Sequence, residues 1–241
     1  EDNLRIIEQS VAYLKANGKR VIYDAEHFFD GYKADPSYAL ETLQAAIRGG
    51  AETVVLCDTN GGTMPWDLER IVCELKPLLN HPLGIHTHND TECAVVNSLT
   101  AIRHGAIQVQ GTINGVGERC GNANLVSIMA DLELKMGYEC LPKGNIQHLY
   151  DLSHFVAEVA NITPDEHLPF VGKSAFAHKG GVHVAATRRS PQSYQHVEPE
   201  LIGNKMRVVV SDLSGRGNLL GKAEEHGVEG EGTGVIPILT E

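Results

Sequence analysis

The residues of this sequence that most clearly suggest chemistry are two histidines separated by one residue, His86 and His88, at the end of a short apolar run. If the run is a strand, side-chain alternation places both imidazoles on one face and Ile85 and Thr87 on the other. Two imidazoles on one face of a strand end can bind a divalent cation through their ring nitrogens. The spacing therefore predicts a metal site, against the simpler interpretation of two polar residues where a strand meets solvent.

Polar side chains also follow the other predicted strands: Asp24 and Glu26 the first, Asp58 and Thr59 the second, and Asn114 and Asn122 the fourth. In folds that alternate strands and helices, active sites are built at this carboxyl edge. Imidazole, carboxylate and amide ligands together suit Mg²⁺, Mn²⁺ or Zn²⁺, which would polarise the carbonyl group of a 2-oxo acid. Glu26 is then placed to transfer protons, and Thr59 to bind a substrate carboxylate.

Each of these residues also has a structural interpretation. Asp58 and Thr59 have the spacing to cap the next helix, and Asn122 the position of an N-cap. Glu26, taken alone, is more often a solvated strand end. Residue types and spacing leave these alternatives open.

The elements that must position these side chains follow from the apolar periodicity. Helices are predicted over residues 2–17, 35–49, 63–79, 92–104, 123–136 and 149–161, and strands over 21–25, 53–57, 83–88 and 106–113. Strands that are apolar on both faces and recur about every 30 residues indicate parallel βα units. The glycines at 115, 117 and 121 do not follow the Gly-x-Gly-x-x-Gly pattern, so a dinucleotide-binding fold is not expected.

About four βα units follow a first helix that has no strand before it. Four strands cannot close an eight-stranded barrel, so the sequence predicts either a small open sheet or the C-terminal half of a TIM (β/α)8 barrel. The unpaired first helix and the absence of an initiator Met favour an α/β half barrel with an N-terminal part missing. Residues 1–140 are assigned to it, and residues 141–241 to a small helical subdomain whose glycine-rich tail, 227–234, is expected to be mobile.

Composition excludes several classes of protein. The formal net charge is −11 and aromatic residues make up 5%, which argues against nucleic-acid binding. No apolar run approaches the roughly 20 residues that span a bilayer. Five cysteines without a close pair suggest reduced thiols, and we expect a cytoplasmic protein.

Three motifs, in order, carry a resemblance to a known family: HTHND at 86–90, GTINGVGERCGN at 111–122 and AHKGGVH at 177–183. They resemble the 2-isopropylmalate, homocitrate and citramalate synthases, TIM-barrel metallolyases of the DRE-TIM type. The segment DAEHFFDGYK at 24–33 resembles the bacterial (R)-citramalate synthases most. The resemblance implies a metal-dependent condensation of acetyl-CoA with pyruvate to (R)-citramalate and CoA, a step of isoleucine synthesis, in a homodimer.

The resemblance also implies residue roles. His86, His88 and Asn122 would bind the metal, and Thr59 the substrate. Glu26 would be the catalytic carboxylate. His183 would act as a catalytic histidine near the partner subunit's site. The neighbouring Asp24 is expected to line the substrate pocket, where its polarity suits pyruvate better than a branched 2-oxo acid.

One departure from the family pattern is the absence of its Asp-Arg-Glu strand, whose Asp would be a further metal ligand. We therefore expect the isolated chain to be inactive. The alternatives are a 2-isopropylmalate or homocitrate synthase, an aldolase or lyase on the same barrel, and an inactive fragment that serves as a binding partner. A metallohydrolase is disfavoured, because such barrels carry their His-x-His on the first strand.

Overall fold

The structure, a computed structural model, describes residues 2–178, 186, 190 and 193–208. The chain divides into two compact units, Glu1–Ile128 and Met129–Glu241. The domain limits predicted at residue 140 stay a prediction, and the tail at 227–234 lies outside the described residues. Within the described ranges, no helix has the length and apolar character needed to cross a membrane.

The first unit alternates helices and strands in the predicted order. Its elements are α1 (Asp2–Ala16), β1 (Ile22–Ala25), α2 (Phe28–Ala34), α3 (Pro36–Gly49), β2 (Thr53–Asp58), α4 (Pro65–Leu75), β3 (Leu83–Thr87), α5 (Ala94–Arg103), β4 (Gln108–Gln110) and the start of α6 (Leu125–Leu134). The strands form one parallel sheet in the order β1-β2-β3-β4. The α/β class and the four parallel βα units predicted from the sequence are confirmed.

The two faces of this sheet differ in chemistry. One face carries Leu56 of β2 and Ile85 of β3, which are paired in register and form part of the buried core with the helices. The other face carries Cys57, His86 and Gln110, which are also paired across β2, β3 and β4. Period-two alternation therefore separates an apolar, helix-covered face from a face that carries polar side chains near the carboxyl ends of its strands.

The sheet is curved. The Gln110 Nε2 atom on β4 donates a hydrogen bond of 2.9 Å to Asp24 Oδ1 on β1, although two strands lie between them. In a flat sheet, strands three positions apart are separated by about 14 Å, which these two side chains cannot bridge. The polar face must therefore be concave, as in part of a barrel wall.

Two elements differ from the prediction. The sequence analysis missed α2, a seven-residue helix whose Phe28, Phe29 and Tyr32 are buried. Its brevity and its internal glycine hide the helical period, and Asp35 ends it while capping α3 by accepting from the Tyr38 backbone N–H. The predicted strand 106–113 is too long, because beyond Gln110 the backbone pairs with residues that return at 123–125.

The second unit contains α7 (Leu149–Val159), as predicted, with buried Leu149 and Ala157. It also contains a short parallel pair, β5 (Ala177–His178) and β6 (Arg207–Val208). The sequence left residues 199–210 open between a strand and a helix, and it gave no sign of β5, because strands of two residues are too short to show a period of two.

Candidate functional site

The His-x-His pair lies at the carboxyl end of β3. The imidazole rings of His86 and His88 lie on the same face, with centroids 5.3 Å apart and planes inclined by 49°. Thr87 points to the opposite face, where it is buried and its hydroxyl donates to the Ala94 carbonyl of α5 at 2.9 Å. This buried hydrogen bond fixes the face on which the two imidazoles lie.

The glycine-rich segment 111–122 brings Asn122 beside His88, with which it forms an isolated antiparallel bridge. The segment folds back on itself, since the Asn122 N–H donates to the Gly115 carbonyl at 3.0 Å. Gly117 is required because a Cβ atom there would overlap the Asn122 amide, and Gly121 because φ is 98°. Asn122, and not Asn114, is therefore the amide placed at the histidine pair.

His88 and Asn122 each have a buried ligand atom without a hydrogen-bond partner, which is the condition expected at a cation site. Nδ1 of His88 and Oδ1 of Asn122 are both buried, and neither has a hydrogen-bond partner. Leaving such atoms unpaired is costly, and a bound ion is one way to satisfy them. Among the described residues, no three His, Cys, Asp or Glu side chains cluster to hold a metal ion. The candidate set is thus two imidazoles and one amide.

The His86 imidazole is oriented by a chain of hydrogen bonds that the sequence analysis missed. His86 Nδ1 lies 2.9 Å from Gln110 Oε1, and Gln110 Nε2 donates to Asp24 Oδ1. A carboxylate only accepts, so the Gln110 amide must present its oxygen to His86, which places the proton on Nδ1. Nε2 of His86 then carries the free lone pair that a metal ligand needs.

A thiol also lies on this concave face. Cys57 is 1% exposed and pairs in register with His86. Burial, and secondarily the carboxylates of Asp24 and Glu26, raise the pKa of the Cys57 thiol well above its usual range. Cys57 is therefore protonated near neutral pH and is a poor metal ligand.

Glu26 and Thr59 are brought together across β1 and β2. The Thr59 hydroxyl donates to Glu26 Oε2 at 2.8 Å and accepts from the His27 backbone N–H at 2.8 Å. Both hydrogen bonds orient the exposed Glu26 carboxylate at the carboxyl edge. The predicted roles of Glu26 and Thr59 in catalysis and substrate binding stay predictions.

A second feature that the sequence analysis missed is a clamp formed by Arg119. Its Nε and Nη2 atoms donate to the two carboxylate oxygens of Asp90 at 2.8 and 3.0 Å, and Nη2 also donates to the Thr59 carbonyl. The hydrogen bonds from Arg119 lower the pKa of the Asp90 carboxyl. Arg119 thereby ties together the loops that follow β2, β3 and β4.

The sequence also allowed Asp58 and Asn122 to be helix caps, and in the structure neither residue caps a helix. Asp58 is buried and accepts from the backbone N–H and hydroxyl of Thr63, at 3.2 and 2.8 Å, so it shapes the loop before α4. Burial raises the pKa of Asp58, partly offset by these bonds. Asn122 does not cap α6, because Asn124 accepts from the Val126 N–H at its start. The predicted catalytic residue His183 lies outside the described residues.

Comparison with known proteins decides the family. A family model described as HMGL-like matches residues 1–156, and one described as homocitrate synthase post-HMGL domain-like matches residues 170–239. The chain belongs to the HMGL-like family. The resemblance seen in the sequence motifs is thereby confirmed.

Curated relatives are similar over nearly the whole chain. An (R)-citramalate synthase of Geobacter sulfurreducens is 60% identical over 95% of this chain and 43% of that protein. An (R)-citramalate synthase of Aquifex aeolicus is 53% identical over 95% of this chain and 44% of that protein. A probable 2-isopropylmalate synthase of Methanopyrus kandleri is 34% identical over 95% and 45%. The chain spans less than half the length of these relatives.

Solved structures support the fold. An HMG-CoA lyase of Bacillus subtilis superimposes with a TM-score of 0.59 at 20% identity, over 67% of this chain and 56% of the lyase. A hydroxymethylglutaryl-CoA lyase of Pseudomonas aeruginosa superimposes with a TM-score of 0.56 at 16% identity, over 68% of this chain and 57% of the lyase. At these identities the likeness concerns the fold alone. It agrees with a partial barrel.

Proposed function

We propose that the protein to which this chain belongs condenses acetyl-CoA with pyruvate to give (R)-citramalate and CoA. The identity of 60% to a curated (R)-citramalate synthase over 95% of the chain carries the proposal. The concave arrangement of His86, His88 and Asn122, with two buried and unpaired ligand atoms, supports it. Such a reaction would serve isoleucine synthesis, and we expect a cytoplasmic homodimer.

The three residues would hold a divalent cation, Mg²⁺, Mn²⁺ or Zn²⁺, which would supply Lewis-acid activation of the 2-oxo acid carbonyl. Gln110 keeps the His86 proton on Nδ1 and so keeps its Nε2 atom available. Glu26, oriented by the Thr59 hydroxyl, is assigned the transfer of the proton that leaves the acetyl methyl group. The methyl carbon then forms a bond to the keto carbon, the keto oxygen takes up a proton from solvent to become the product hydroxyl, and hydrolysis of the thioester by water releases CoA.

Substrate choice is assigned to Asp24. Its side chain is exposed on the concave face, two residues before Glu26, and accepts from Gln110. A carboxyl group beside the substrate side chain suits the methyl group of pyruvate better than the isopropyl group of 2-oxoisovalerate. A difference of this size between two substrates is worth about 1–3 kcal/mol of discrimination, or roughly 10–200-fold.

The 241-residue chain alone is expected to be inactive. Its described residues supply two imidazoles and an amide at the site, but not the Asp and Arg that the family resemblance places on another strand. His183 is kept as a catalytic candidate on the same resemblance.

The test replaces the matching region of the Geobacter sulfurreducens synthase with this chain and measures CoA release from acetyl-CoA. We expect release with pyruvate at a rate at least about tenfold above that with 2-oxoisovalerate. We expect none from the 241-residue chain alone. The unmodified Geobacter protein is the matched control.

A folded chimera that releases no CoA with either acid, beside an active control, would contradict the proposal. Preference for 2-oxoisovalerate would instead assign the chain to the 2-isopropylmalate synthases. Carbon–carbon cleavage without CoA release would assign it to the lyases.

A further inference from the structure

A cluster of nucleophilic and titratable side chains lies outside the candidate metal site, on helices α4 and α5. Cys73 Sγ lies 3.2 Å from His104 Nδ1, and His104 Nε2 lies 2.8 Å from Glu69 Oε1. Cys73 is exposed to solvent, and His104 is only partly covered. A thiol, a base and a carboxylate that orients the base are thus connected in a line.

The two helices fix this geometry. Glu69 and Cys73 are four residues apart on α4, so their side chains share one face one turn apart. His104 is the C-cap of α5, and its backbone N–H bonds back to the last turn of that helix. Lys76, one turn beyond Cys73, donates to the Gly105 carbonyl at 3.2 Å and ties the end of α5 to α4. His104 is therefore held against the thiol.

The direction of the hydrogen bonds follows from the carboxylate. Because Glu69 is an acceptor, the His104 proton that faces it lies on Nε2. Nδ1 of His104 is then the acceptor, and the Cys73 thiol donates to it. The carboxylate also stabilises the imidazolium that forms when His104 takes the thiol proton.

Other cysteines of the chain are in different surroundings. Burial raises the pKa of the Cys57 thiol well above its usual range. Burial and the nearby Glu133 carboxylate raise the pKa of the Cys140 thiol as well. The residue as a whole is nevertheless exposed to solvent and only its thiol is partly covered, so Cys140 provides an internal reference for reactivity.

We propose that Cys73 is a nucleophilic thiol that undergoes exchange with low-molecular-weight disulfides. As Sγ attacks, His104 Nδ1 accepts the thiol proton, an Sγ–S bond forms, and the disulfide S–S bond breaks. The leaving thiolate carries away the electron pair and takes the proton from His104. Cys73 is thereby oxidised to a mixed disulfide and one sulfur of the disulfide is reduced to a thiol. The proposal uses no residue of the candidate metal site and does not depend on the proposed function.

The test incubates the protein with oxidised glutathione and measures the rate of modification of each cysteine by peptide mass spectrometry. We expect Cys73 to react faster than Cys140, and His104→Gln to slow Cys73 by about tenfold or more, since a positioned base contributes at least that much. Glu69→Gln should slow it severalfold. The matched control is His167→Gln, which changes an exposed histidine of the second unit and should leave Cys73 unaffected.

A Cys73 rate in folded His104→Gln within about twofold of the unaltered protein would overturn the proposal. So would Cys73 reacting no faster than Cys140. If His104→Gln does not fold, Glu69→Gln decides: a severalfold loss at Cys73 with Cys140 unchanged supports the proposal, and an unchanged rate refutes it. Circular dichroism of each variant reports folding.

Discussion

The orientation of a single amide, that of Gln110, decides which nitrogen of His86 can act as a ligand. Its oxygen faces His86 and its nitrogen faces Asp24, each at 2.9 Å. Groups that hold a ligating histidine by its other nitrogen typically change metal affinity by 10–100-fold when removed. Gln110 is therefore a positioning residue for the candidate cation.

Replacing Gln110 tests this arrangement. We expect Gln110→Ala to weaken Mn²⁺ binding by roughly 10–100-fold, measured by calorimetry with the metal alone. Gln108→Ala, two residues earlier on the same strand and face, is the matched control and should leave the affinity unchanged. Equal affinities for the two variants would show that Gln110 does not position His86.

At the scale of elements, the glycine-rich segment 111–122 acts as a scaffold for the Asn122 amide. Gly117 allows close packing against that amide, and the Arg119 side chain ties the segment to the loops after β2 and β3. Gly61 of the β2–α4 loop has φ of 62°, and a Cβ atom there would overlap the Asp90 carboxylate that Arg119 binds. Small residues in two loops therefore permit the contacts around the site.

The substitution Gly117→Ala is expected to displace the Asn122 side chain, because the added methyl group would occupy its place. Mn²⁺ affinity should fall at least about tenfold, with little change in the melting temperature, since the segment is on the surface. Gly62→Ala is the matched control, because nothing lies within 4 Å of its Cβ position. Unchanged Mn²⁺ binding in Gly117→Ala would argue against Asn122 as a ligand.

At the scale of the whole molecule, the first unit presents four strands of a curved, barrel-like wall. β1 and β4 end the sheet, and apolar side chains are exposed at both ends: Ile22 on β1 is 42% exposed and Ile107, next to β4, is 70% exposed. Exposed sheet edges with apolar side chains favour association with other chains.

We expect the isolated chain to self-associate through these edges as its concentration rises. The double substitution Ile22→Lys and Ile107→Lys should shift the average mass toward that of the monomer, measured by light scattering after size exclusion. Ile6→Lys, at an exposed position of α1, adds a charge away from the sheet and should have little effect. An identical mass distribution for all three proteins would exclude edge association.

Local features of the sequence determined much of this architecture. An apolar period of 3.6 predicted the helices and short apolar runs predicted the strands, because the helical period and the length of a buried strand are local properties of the chain. The same rule placed His86 and His88 on one face before any tertiary contact was known. Gly50, at φ of 97°, ends α3 close to where the sequence predicted, since a left-handed residue at a helix end is a local requirement.

Tertiary structure alone decided which distant residues complete each site. Gln110 meets Asp24 across 86 positions of sequence only because the sheet curves. Arg119 reaches Asp90 and Thr59 only because the loops that follow β2, β3 and β4 all begin at the carboxyl edge of the sheet. His104 meets Cys73 only because α4 and α5 pack side by side. Sequence spacing fixes the direction of a side chain within its own element, whereas strand order, sheet curvature and helix packing fix which other element it meets.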